Sequence, residues 1–199
     1  PGFLLQLASS LLNATLNKSL YIYGGDIAVS GMGVINSIQT FLIMPIVGLN
    51  QGVQPIISFN YGARKYVRVK EAIKLAIKTA TIVVTSGYII TRLFPVQLIS
   101  LFNRDPDLIS FGRSAIFAWF LCFPVVGFQV VAANFFQAIG RPKSSMFLTL
   151  TRQLILLIPA ILIFPKLWGL KGLLYAAPFA DFLSFLLTAT FFYLGIKKL

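Results

Sequence analysis

Histidine is absent from this 199-residue sequence, and cysteine occurs once, as Cys122. The first absence removes the commonest general base and the commonest metal ligand. The second excludes an intrachain disulfide and a thiolate metal cluster. Acidic side chains number five, Asp26, Glu71, Asp105, Asp107 and Asp181, against 17 Lys and Arg. Charged residues of both signs make up 11% of the chain, less than half the share of about 25% found in soluble domains. The sequence also lacks a Gly-rich phosphate loop, a nucleophile elbow and any metal-ligand spacing. On these grounds it reads as neither an enzyme nor a metal or cofactor protein.

What is present is apolar. Hydrophobic residues account for 57% of the sequence and the mean hydropathy is +0.85. They cluster into runs of about 18 residues or more, the length that crosses a ~30 Å hydrocarbon core. The expected fold class is therefore all-α integral membrane. The formal net charge of +12 suits a membrane topology better than a nucleic-acid groove, because the cations gather at helix ends. No nucleic-acid partner is expected.

Hydropathy and punctuation predict a bundle of six transmembrane helices, at about 3–23, 27–59, 69–94, 107–139, 143–164 and 173–196. Gly24-Gly25-Asp26 ends the first, Asn60-Tyr61-Gly62 the second, Pro95 the third and Pro165 the fifth. Asp105-Pro106-Asp107 opens the fourth with an N-cap and a first-turn proline. A short amphipathic piece from Val96 to Phe102 precedes it on the membrane surface. Pro45, Pro55, Pro124, Pro159 and Pro178 fall inside spans. Each removes a backbone donor, so several spans are expected to be proline-kinked.

Arg64, Lys65, Arg68, Lys70 and Lys74 follow the second span, Arg141 and Lys143 follow the fourth with Arg152 one or two turns into the fifth, and Lys197 and Lys198 follow the sixth. The alternate connections carry Lys18, Arg92, Arg104, Lys166 and Lys171, along with Asp26, Asp105 and Asp107, a bias of roughly two to one in Lys and Arg. The positive-inside rule then places both ends of the segment in the cytoplasm of a plasma-membrane protein. The sequence begins Pro1-Gly2 without an initiator Met or a signal peptide, and is expected to be part of a longer chain.

Polar side chains at membrane depth carry the functional reading. Asn13 and Asn17 share a face of the first span; Asn36, Gln39, Gln51 and Gln54 lie along the second; Gln129 and Gln137 share a face of the fourth, with Asn134 beside Gln137. Amides facing lipid are costly, so these stripes are expected to point inward, as cavity lining or as interhelical glue. Asp181, with Pro178 before it and Ser184 after it, is the carboxylate deepest in the membrane. It is the candidate for cation or proton coupling, with structural pairing as the competing reading.

Gly48-Leu49-Asn50-Gln51-Gly52-Val53-Gln54-Pro55, continuing through Asn60-Tyr61-Gly62-Ala63-Arg64, resembles the end of the eighth helix in multidrug and toxic compound extrusion (MATE) transporters. Residues Gln129 to Lys143 resemble the end of that family's tenth helix, and Pro178-Phe179-Ala180-Asp181 its twelfth. The resemblance implies that the six spans are the C-terminal lobe of a twelve-helix antiporter whose N-terminal lobe is absent from this sequence. It implies export of small amphipathic or cationic compounds, coupled to Na⁺ or H⁺ entry. Part of the family carries carboxylates in its seventh and tenth helices, where this sequence has none in the membrane. Two alternatives stand beside this reading: a lipid-linked oligosaccharide flippase of the same superfamily, with Arg113 and Lys78 as cations to check, and a non-transporting membrane subunit.

Overall fold

The computed structural model describes residues 2–197. The described residues are almost entirely helical and include no strand. The helices are α1 (Gly2–Gly62), α2 (Tyr66–Leu93), α3 (Pro95–Ser100), α4 (Pro106–Trp119), α5 (Phe123–Ala138), α6 (Pro142–Leu150) and α7 (Ile158–Lys197). A π-helical segment, Thr151–Leu157, joins α6 to α7.

Two glycines turn the longest helices into hairpins. Gly25 has φ 66° and ψ −162° inside α1, and Gly169 has φ 60° and ψ −145° inside α7. This region of backbone space is nearly closed to residues with a Cβ. Around Gly169 the reversal is visible in the packing. The Phe164 and Phe179 rings lie 5.0 Å apart, the Phe147 and Phe191 rings 5.7 Å apart, and Arg152 reaches Asp181. Gly172 lies close against the Phe164 carbonyl, a space that a side chain would fill.

Directions elsewhere follow from the same kind of pairing. Residues 2–24 run alongside the segment before Gly169, with Ser9 bonded by Gln153 and Gly24 against Leu170. Residues 26–62 run parallel to α4 and α5 in a fixed register. Gly31 meets Phe111, Gln39 meets Trp119 and Ser58 meets Ala138, each pair 80 positions apart. α5 in turn runs parallel to residues 170–197, with Phe128 on Phe185 and Gly195 on Phe136. Six helical segments, spans one to six, result: 2–24, 26–62, α2, α4 with α5, 142–168 and 170–197.

Phe3–Gly62, Tyr66–Leu93 and Pro142–Lys197 are each long and apolar enough to cross a membrane, and α4 and α5 qualify together across a bend of 56°. Large apolar side chains such as Phe41, Ile82, Leu162 and Leu186 face outward, which suits a surface solvated by lipid. Leu20, Met32, Ile35, Ile73, Phe120 and Phe135 fill the interior with almost no exposure.

The prolines act unevenly. The break between α4 and α5 precedes Pro124, and the π-helical turns precede Pro159, where widening relieves the clash of the ring with the carbonyl four residues earlier. Helical backbone continues through Pro45, Pro55 and Pro178. It also continues through Pro165, where the sequence suggested a stop, because the chain turns only at Gly169. Asp105 caps α4 as expected, its carboxylate accepting the Asp107 N–H at 2.9 Å.

Candidate functional site

The amides expected to share one polar interior divide into three settings. Asn13, Asn36 and Gln39 converge on an open cleft of about 490 Å³, together with Thr40, Ile43, Met44 and Val47. Spans one and two supply this wall. Residues 13, 36 and 39 lie on facing stripes that no helix of the bundle covers. Gln39 is half-buried because span four passes behind it, and the Trp119 Nε1–H donates to Gln39 Oε1 at 3.1 Å. The cleft lining contains no Lys, Arg, Asp or Glu.

A second group holds helices together. Asn134 donates from Nδ2 to the backbone carbonyl of Asn50 at 3.4 Å, and the Ser58 hydroxyl donates to the Ala138 carbonyl at 2.9 Å. Both contacts bind the lower ends of spans two and four. Asn17, Gln51 and Gln137 are exposed and Gln54 is half-buried. Gln129 and Gln137, which the sequence placed on one face, occupy different environments: Gln129 is buried and Gln137 is open.

The third setting surrounds Asp181, which is 4% exposed. Arg152 donates to its Oδ1 from Nε at 2.7 Å and from Nη2 at 2.6 Å. Gln129 Nε2 donates to the Asp181 carbonyl at 2.6 Å, while Gln129 Oε1 is buried without a partner. Gln129, Thr149, Arg152, Ser184 and Thr188 line a small cavity of about 100 Å³ beside the pair. The sequence grouped Arg152 with the cations of the helix ends; the structure places it on the π-helical turn, against Asp181. An Arg within an apolar run needs an anion, and Asp181 was the one carboxylate at matching depth, so charge balance could have found the pair. No comparable sequence signal pointed to Trp119.

The remaining cations stay away from these sites. Arg113 and Lys78 are exposed. Arg92 packs between Tyr88 and Phe117, its guanidinium carbon 4.7 and 4.8 Å from the ring centres, and ties span three to span four. Among the described residues, no group of three or more acidic or cysteine side chains could hold a metal ion.

Comparison with known proteins agrees with this architecture. The chain is 28% identical over 183 residues to an FAD transporter of Shewanella oneidensis, covering 92% of this chain and 40% of that protein. It is 25% identical over 194 residues to the multidrug export protein MepA of Staphylococcus aureus, covering 98% and 42%. It therefore spans about two fifths of the length of these curated relatives. Among solved structures, the MATE multidrug transporter DinF-BH superposes with a TM-score of 0.85 at 39% identity, over 97% of this chain and 43% of that one. A MOP superfamily transporter from Pyrococcus furiosus shares the fold, with a TM-score of 0.91 at 23% identity over 98% and 44%. Residues 1–162 match the MatE family model, and the chain, a multi-pass membrane protein, belongs to that transporter family.

Proposed function

We propose that this bundle is the C-terminal lobe of a secondary antiporter that exports amphipathic or cationic compounds, with Na⁺ or H⁺ moving inward. The observation that carries the reading is the uncovered cleft at Asn13, Asn36 and Gln39. A polar wall open at membrane depth is costly against lipid and sensible against a second lobe with substrate between them. The missing partner is then the N-terminal six-helix lobe of the same protein. Both ends of the segment lie in the cytoplasm, on the side of the basic connections after spans two and four. A lining free of Lys and Arg fits lipophilic cations and not the phosphates of a lipid-linked sugar.

Asp181 is the coupling residue of this lobe. A proton taken up by its carboxyl removes the charge that Arg152 is bonded to, and the released guanidinium turns to the adjoining small cavity. The π-helical turn carrying Arg152 then loses its tie to span six. Such turns recur at functional sites in helices.

Gradient-driven transport in proteoliposomes tests the two-lobe reading. The whole transporter should expel a fluorescent lipophilic cation when a Na⁺ or H⁺ gradient is directed inward, and residues 1–199 alone should not. Efflux by the six-helix chain as a monomer would overturn it, because alternating access requires one lobe to move against another.

A further inference from the structure

The two ends of a glutamine amide differ chemically: one offers two N–H donors, the other an acceptor oxygen. An unanchored amide rotates to suit its ligand. Gln39 is anchored. The indole of Trp119 is donor only, so the Gln39 atom 3.1 Å from Nε1 must be the oxygen. Turning the amide round would set donor against donor and leave an indole N–H unpaired in a residue only 7% exposed. The nitrogen end is therefore the end that Gln39 has left for the cleft it lines with Asn13 and Asn36.

We propose that Trp119, by holding the oxygen of Gln39, fixes the cleft wall as a hydrogen-bond donor, so that it selects lipophilic cations that also carry an acceptor such as a carbonyl or an ether. This rests on the export reading above and specifies its substrate class. Gln39 is the contacting residue and Trp119 the positioning residue. Attraction for the positive charge then falls to the opposing lobe, since neither a carboxylate nor an aromatic ring lines the cleft.

Binding of a matched pair of cations to the purified whole transporter tests this: tetraphenylphosphonium, which has no acceptor, and its para-acetyl analogue, which has one. The wild type should prefer the acetyl compound. Gln39→Leu should weaken the acetyl compound roughly fivefold, the worth of one hydrogen bond, and leave the parent cation unchanged. Gln39→Glu keeps an acceptor for Trp119 and supplies a negative charge, so it should reverse the preference. Trp119→Phe frees the amide to rotate and should narrow the preference while both compounds still bind. Equal weakening of both cations by Gln39→Leu would overturn the donor role. A preference untouched by Trp119→Phe but lost in Gln39→Leu would overturn the positioning role. Failure of both cations to bind the wild type would overturn the export reading itself, a result separable from lost selectivity.

Discussion

Arg152 and Asp181 each meet the other's need for a counter-charge among helices where water is scarce. Removing one partner of a buried ion pair leaves an uncompensated charge and costs about 3–5 kcal/mol, whereas replacing both by apolar groups is often neutral. Asp181→Asn should therefore lower the melting temperature in detergent by several degrees, and Arg152→Met with Asp181→Leu should restore most of it. Gradient-driven efflux separates the roles: the restored double variant should still bind substrate and fail to couple its export. Coupled efflux at the wild-type rate from that variant would reduce the pair to a structural clasp. At this scale the sequence was half legible. Asp181 stood out because carboxylates are rare at depth, but its partner lies 29 positions earlier, across a hairpin whose register sequence pattern does not disclose. The amides were legible as a set and not as individuals. Gln129 and Gln137 share a helical face on paper, yet Gln129 is buried and bonded to span six while Gln137 is exposed.

Among the elements, the broken fourth span and the two glycine corners have distinct physical origins. Pro124 cannot donate to the Phe120 carbonyl, and the chain bends by 56° between α4 and α5. Pro124→Ala supplies that donor and should straighten the span. With Cys122 replaced, spin labels at the exposed positions 113 and 137 should then move apart by about 4 Å, from the rise of the two arms and the loss of the bend. An unchanged distance would assign the bend to packing around Trp119 instead. At Gly169 the difficulty is conformational and not steric, since nothing lies within 4 Å of where a Cβ would stand. Gly169→Ala should destabilise by about 1–3 kcal/mol, read as a lower melting temperature. Gly48→Ala, equally open but helical, should have little effect. Sequence punctuation located the first corner, because Gly-Gly-Asp interrupts the apolar runs, and missed the second at Gly169. It misplaced the stop at Pro165 because a proline ring alone does not end a helix that its neighbours support.

Across the whole molecule, the alternation of spans puts residues 62–66, 140–142 and 197 at one end of the bundle and residues 25, 94–105 and 169 at the other. The first end carries Arg64, Lys65, Arg68, Arg141, Lys143 and Lys197, and the proposed orientation, from the positive-inside rule, sets it in the cytoplasm. In a background without Cys122, single cysteines at positions 65 and 143 should react with impermeant reagents only from inside, and those at 26 and 105 only from outside. Labelling of positions 65 and 26 from the same side would end the six-span arrangement. The glycine corners have a further consequence for that outer face. Each reverses direction with no intervening loop, so the described chain offers one longer connection there, Phe94–Asp105, made of α3 and the coil that follows it. A protease added outside should nick the protein near Asn103, in coil, and leave residues 25 and 169 intact. An epitope inserted after Asn103 should be displayed on living cells, while the same tag at either corner would prise a hairpin apart.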